Sequence, residues 1–377
     1  MSTVFNLENK NALNQPMFFG DDLGIARYDI QKYPIFEKLT KEQLSFFWTP
    51  EEIKLDKDHR DFKSMNEAEK HIFLSNLKYQ TIMDSVNARG PNLALLPYVS
   101  LPELEGCILI WSLMESIHSR AYTHIIRNIV KDPSEVFDHI LDEEALISRA
   151  KSVTRYYDDF IDYARYYKLL GFGVHIINGK RYNINSRKLK QKLYMMLVSI
   201  YALESIRFYF SFACSFSFTE QTPAKMEGNT KEISLIARDE NIHTAITLVI
   251  IKNFMKKEND PEMLEVIKDC EPMVYSLFQE VVEGEEEWGK HLFKYGSILG
   301  MNYNIGCAYI KYRAGNRMAN LGLVNPYKIK DNSLPWMDNY LNTKNKQVSP
   351  QEVEIPSYLI GGINMNVDES RLKKFEF

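Results

Sequence analysis

The stretch WSLMESIHSRAYTH, residues 111–124, spaces Glu115, His118 and Tyr122 three and then four residues apart, so one helical face presents an acid, an imidazole and a phenol. A second Glu-x-x-His, formed by Glu240 and His243, lies in LIARDENIHTA. Two further acids stand alone in apolar surroundings, Asp84 in QTIMDSV and Glu204 in YALESIRF. Four carboxylates and two imidazoles make a donor set for a pair of divalent metal ions. The carboxylates neutralise four positive charges and bridge the ions, and the imidazoles leave coordination positions open. Buried acids with neither metal nor partner would be expensive. Tyr122, one turn beyond His118, is placed to lose an electron and a proton to an oxidised metal pair. The plain alternative is a core tyrosine, which carries weight in a chain with 22 of them.

These residues need helices to aim them. Apolar residues recurring every three or four positions predict helices over about 65–87, 102–130, 142–171, 186–220, 227–255, 261–289 and 300–320. Asn178-Gly179 inside GVHIINGKRYNIN predicts a β-hairpin inserted between helices. A lone Glu-x-x-His is weak evidence and is more often a solvated or hydrogen-bonded pair. Two of them, together with a lone acid on each of two other helices, match the pattern of di-iron helical bundles, with Asp84 in place of one Glu. The expected fold is therefore all-α: a ferritin-like di-iron bundle over residues 1–346 with a small hairpin insertion, followed by a flexible C-terminal tail, 347–377, that lacks helical period. His71, His124 and His175 have no matching partners and read as core or surface residues. Phe208, Phe212 and Ile236, on helices beside the acids, read either as plain core or as a dry wall around Tyr122.

Composition narrows the function classes. The 377 residues carry 46 Lys and Arg against 50 Asp and Glu, a formal charge of -4 without long blocks of one sign, so nucleic-acid binding is not expected. Cys107, Cys214, Cys270 and Cys307 form neither a Cys-x-x-Cys pair nor a disulfide framework, which fits a reducing compartment. MSTVFNLENKNALNQPMFF lacks the basic start and apolar run of a signal peptide, predicting a cytoplasmic chain. Residues 194–218 are apolar enough to suggest a membrane span, but Glu204 and Arg207 near the middle favour a buried helix.

At this point the motifs resemble one family. NLKYQTIMDS, ESIHSRAYTHIIRNI, ALESIRFYFSFACSF and IARDENIH, with FFWTPEE before them and QEVEIPSYL near the end, look like the small, radical-bearing subunit of class Ia ribonucleotide reductase. The similarity runs in order from about Pro16 to Tyr358. The resemblance implies that Asp84, Glu115 and His118 hold one iron and Glu204, Glu240 and His243 the other, with Glu115 and Glu240 bridging an oxo-bridged di-iron centre of two Fe ions per chain. It further implies that Tyr122 is the stable tyrosyl radical and that Trp48 delivers an electron during assembly with oxygen. Asp239 would link the tryptophan to His118, and Glu352 and Tyr358 would pass the oxidising equivalent across a subunit interface.

By the same resemblance the chain forms a homodimer, binds a large catalytic subunit through its tail, and leaves reduction of ribonucleoside diphosphates to that partner. The sequence agrees in having no Gly-x-x-x-x-Gly-Lys-Ser loop for phosphate. The nearest rival is a di-iron oxygenase or desaturase, which would turn the same ligands on an external substrate. A ferritin-like storage shell fits the hairpin and polar tail less well.

Overall fold

The structure, a computed structural model, describes residues 3–256 and 260–341. Among these residues thirteen α-helices follow in order: α1 Pro34–Ser45, α2 Asp56–Ser64, α3 Glu67–Asn87, α4 Gly90–Ala94, α5 Pro102–Ile129, α6 Ser134–Phe137 and α7 Glu144–Leu170, then α8 Ser186–Ala202, α9 Tyr209–Ser217, α10 Glu227–Phe254, α11 Pro261–Leu292, α12 Tyr303–Asn320 and α13 Met337–Leu341. Strands β1 Gly173–Ile177 and β2 Lys180–Ile184 form the one antiparallel hairpin among the described residues.

Local chemistry sets the helix ends. Asn66 accepts from the Glu69 amide while Glu69 reaches back to the Asn66 amide, a capping box that starts α3. Asn185, Asp260 and Asn302 cap α8, α11 and α12 with side-chain oxygens, and Pro102 opens α5 at a position that needs no amide donor. The Asp58 carboxylate of α2 accepts from the amides of Gly228 and Asn229, so α10 begins on a fixed anion from another helix. Asn178 and Gly179 both adopt positive φ, as a two-residue hairpin turn requires, and pair Ile177 with Lys180.

The helices pack as a bundle in which α5 lies against α1, α3 and α10, and α8 lies against α7, α10 and α11. Trp48, Trp111, Trp288, Tyr79 and Tyr122 are among the largest side chains wholly inside it. This is the helical bundle with hairpin insertion that the pattern of residues predicts.

Two expectations are corrected. The single helix expected over 186–220 is interrupted: α8 and α9 are joined by a π-helical turn, Leu203–Arg207, which carries Glu204. One extra residue per turn breaks the ordinary ladder, and outside groups take up the freed carbonyls. Arg313 of α12 donates twice to the Ser205 carbonyl at 3.1 and 3.0 Å, and the Tyr79 hydroxyl reaches the Arg207 carbonyl at 3.3 Å. The second correction is α13, a short helix beyond residue 320, where the predicted helices end. The apolar run 186–217 is long and hydrophobic enough to cross a membrane, yet its most apolar window is wholly covered by the rest of the protein.

Candidate metal centre

Four elements converge in the core. Asp84 comes from the last turn of α3, Glu115 and His118 from the middle of α5, Glu204 from the π-helical turn, and Glu240 and His243 from the middle of α10. All six are fully buried. They form two overlapping groups, Asp84–Glu115–His118–Glu240 and Glu115–Glu204–Glu240–His243, and within each group one donor atom per residue lies within 4.8 Å of the others. Glu115 and Glu240 belong to both, and only they do.

The donor atoms face each other rather than ordinary partners. His118 Nδ1 lies 3.4 Å from Glu115, 3.2 Å from Glu240 and 3.8 Å from Asp84. His243 Nδ1 lies 3.0 Å from Glu115, 3.6 Å from Glu240 and 3.7 Å from Glu204. Both oxygens of Asp84 and of Glu240, one each of Glu115 and Glu204, and Nδ1 of both histidines make no hydrogen bond. Buried polar atoms are almost always satisfied, so eight orphaned atoms in one pocket of the core mark a place built for cations. The donor set therefore fits two metal ions.

Electrostatics say the same. Burial, reinforced by Glu115 and Glu240, drives the Asp84 carboxyl far above the usual range, and burial with the same pair of neighbours does so for Glu204. Burial opposes the charge on Glu115 too, but His243 and His118 outweigh it and hold that carboxyl well below the usual range. Burial likewise disfavours charge on both imidazoles, yet Asp239, Glu115 and Glu240 hold His118 up, and Glu115 above all holds His243 up. Four acids stripped of water thus recruit whatever positive charge is available.

A surrounding layer fixes the ligands. Trp111 Nε1 donates to Glu115 at 3.0 Å, and Asn87 Nδ2 donates to Glu204 at 2.8 Å and to Glu115 at 3.4 Å. Tyr157 in turn donates to Asn87 at 3.3 Å. On the other side, Asp239 Oδ2 accepts from Trp48 Nε1 at 2.9 Å and meets His118 Nε2 at 3.2 Å. Arg238 contacts the remaining Asp239 oxygen at 3.2 Å, donates to the Phe46 carbonyl and lies over the Phe46 ring. Such partners fix imidazole orientation and raise ligand basicity.

Tyr122 is fully buried, and its hydroxyl faces Asp84 without completing a hydrogen bond. Burial first, then Asp84 and Glu240, push the phenol well above its usual range, so it holds its proton. Phe208, Phe212 and Ile236 are also fully buried, and the two phenyl rings stack at 5.7 Å.

Comparison with known proteins now bears on this geometry. The family described as "Ribonucleotide reductase, small chain" matches residues 28–335. The chain belongs to that family. This small chain is 50% identical over 374 residues to the "Ribonucleoside-diphosphate reductase subunit beta" of Buchnera aphidicola subsp. Baizongia pistaciae, covering 99% of each chain. It is 48% identical to the "Ribonucleoside-diphosphate reductase 1 subunit beta" of Escherichia coli O157:H7, again over 99% of each. It is 41% identical to the subunit beta of Enterobacteria phage T4, covering 100% of this chain and 99% of that one. Among solved structures, the "Ribonucleotide reductase R2 subunit from Clostridium botulinum" superposes with a TM-score of 0.74 at 22% identity, covering 90% of this small chain and 98% of that one.

Of the residues singled out by sequence, the structure brings together Asp84, Glu115, His118, Glu204, Glu240, His243, Tyr122, Asp239 and Trp48. Glu352, Tyr358 and the tail 347–377 lie outside the described residues. Sequence reasoning missed Trp111, Asn87, Tyr157 and Arg238. Trp111 carried a usable signal, since it stands four residues before Glu115 on the same helical face.

Proposed function

We propose that this chain is the radical-generating small subunit of a ribonucleoside-diphosphate reductase, in which Asp84, Glu115 and His118 hold one iron, Glu204, Glu240 and His243 hold the second, and Tyr122 stores the oxidising equivalent. The observation that carries the assignment is the pair of orphaned ligand groups sharing Glu115 and Glu240, with the buried Tyr122 phenol beside Asp84. Bound at these residues, two iron ions would supply the reaction with molecular oxygen that oxidises a neighbouring phenol. Tyr122 gives up its hydroxyl proton and one electron, and Asp84 is the group placed to receive the proton. Full burial denies water and external reductants access to the ring.

The remaining residues route charge. Trp48 and His118 share a single oxygen of Asp239, so the hydrogen-bonded path from the indole to the imidazole crosses only one carboxylate. Trp48 is the proposed donor of the extra electron during assembly, and Asp239 positions it. Glu352 and Tyr358 would carry the oxidising equivalent onward, with residues 347–377 docking into a large subunit that binds the nucleotide. Leu44 and Phe47 near the end of α1, with Leu109 and Leu113 one turn apart on α5, are exposed on two helices that pack together. That apolar stripe is the proposed homodimer face.

The deciding experiment is electron paramagnetic resonance on metal-free protein given ferrous iron and then oxygen, with iron counted in the same sample. A tyrosyl signal with two irons per chain, absent in Tyr122→Phe at unchanged iron content, supports the assignment. Full iron without a tyrosyl signal would replace it with an oxygenase acting on an external substrate.

A further inference from the structure

A second polar cluster lies behind the π-helical turn. Arg149 of α7 pairs with the buried Glu285 of α11, donates to the Gly284 carbonyl, and lies over the rings of Tyr79 at 4.3 Å and Trp288 at 5.1 Å. Arg207, the last residue of the turn, is only 4% exposed and, among the described residues, has neither an ion pair nor a side-chain hydrogen bond, its favourable charges Glu285 and Glu280 standing beyond ion-pair distance. Both arginines line a cavity of about 520 Å³ that opens to solvent between α7 and α11. Over Gly284 the two guanidinium groups converge: a Cβ built there would sit 3.8 Å from Arg207 Nη1 and 3.9 Å from Arg149 Nη1.

The charge count is uneven. Two buried guanidinium groups face one buried carboxylate, Glu285, which pairs with Arg149 and leaves Arg207 without a carboxylate at ion-pair distance, whereas desolvated charges are normally paired. A guanidinium presents a planar fork of donors that matches a two-oxygen anion. The cavity mouth carries Glu280, Glu283 and Glu287 against Lys290, a rim that repels highly charged anions such as nucleotides. Glu280 is already held by Arg155. We infer that this cavity binds a small-molecule carboxylate, with Arg207 as its charged anchor and Gly284 as the gap in which the carboxylate sits. Its volume falls in the range of small-ligand sites and admits a molecule larger than acetate.

The test uses the full chain and acetate as the probe. Exchanging chloride for acetate at constant ionic strength raises the thermal midpoint of the parent protein saturably, by about 1–3 °C. Arg207→Gln loses that response. Should Arg207→Gln fail to fold, Gly284 supplies an independent arm, because ordinary contact distances leave room for a side chain there. Gly284→Asp provides the missing carboxylate within the chain, so its midpoint rises above that of the neutral isostere Gly284→Asn and no longer responds to acetate. An acetate response that is unsaturable or survives in Arg207→Gln overturns the inference, as does a Gly284→Asp midpoint no higher than that of Gly284→Asn.

Discussion

The ligand centre and the Arg149–Glu285 cluster share one π-helical turn, Glu204 serving the first and Arg207 the second, and both bury ionisable groups. They differ in what the fold supplies. Around Arg149 the chain provides a carboxylate, a carbonyl and two aromatic faces, so most of that buried charge is answered from within. Around Glu240 it provides other acids and two imidazoles, and both Glu240 oxygens stay unbonded. A buried charge met by its own chain is architecture. A buried charge left unmet is a request for a ligand, cationic at Glu240 and anionic at Arg207.

Substitutions can break this contrast. The largest effect is expected for Glu240→Ala, which removes a ligand common to both groups: metal affinity falls by more than about 100-fold, read as iron retained after gel filtration. The second region should respond in stability instead. Glu285→Ala strands the Arg149 guanidinium and lowers stability by about 3–5 kcal/mol in urea unfolding, with no direct loss of metal donors. Replacing both partners, as Arg149→Met with Glu285→Leu, should cost clearly less than the single change; an equal cost would mean that the pair itself matters little.

Smaller effects sharpen the boundary. Asp239→Asn keeps the shape but weakens the link from Trp48 to His118, so metal affinity drops by about 10–100-fold, less than on loss of a ligand. Glu232 stands between the two cases, buried with one partner, His124 at 2.8 Å, and one free oxygen. Burial pushes its carboxyl up to about 7, even with His124 working the other way. A folded-state value above the unfolded one means that stability is greatest below the ordinary 4.5 and is lost as pH rises through 7. His124 is itself raised, chiefly by its hydrogen bond to Glu232, and contributes with the same sign. Glu232→Gln should flatten the decline in unfolding free energy, read from urea titrations between pH 5 and 8, by roughly 1–2 kcal/mol.

How much of this could be read from sequence follows from where the partners sit along the chain. Glu115 with His118, and Glu240 with His243, are local pairs, and helical spacing alone puts each on one face. Asp84 and Glu204 stood out because acids are rare in apolar helices. The π-helical turn left no mark, since one extra residue changes neither composition nor hydrophobic pattern enough to notice. Arg149 and Glu285 are 136 positions apart, and their pairing exists only once α7 meets α11. Asn87 is the last residue of α3, and its amide bridges Glu204 and Glu115, acids that come from elsewhere in the chain.

The apolar run 186–217 has a consequence for the making of the protein. When it leaves the ribosome, two of the helices that will cover it, α10 and α11, have yet to be synthesised. Completing α11 takes roughly 75 more residues, on the order of ten seconds at ordinary bacterial elongation rates. For that interval the nascent chain displays a segment that could pass for a membrane anchor, with Glu204 and Arg207 as its only charges past residue 192. The same two residues that later serve a cation and an anion thus begin as the marks that keep a core helix from being mistaken for a lipid-bound one.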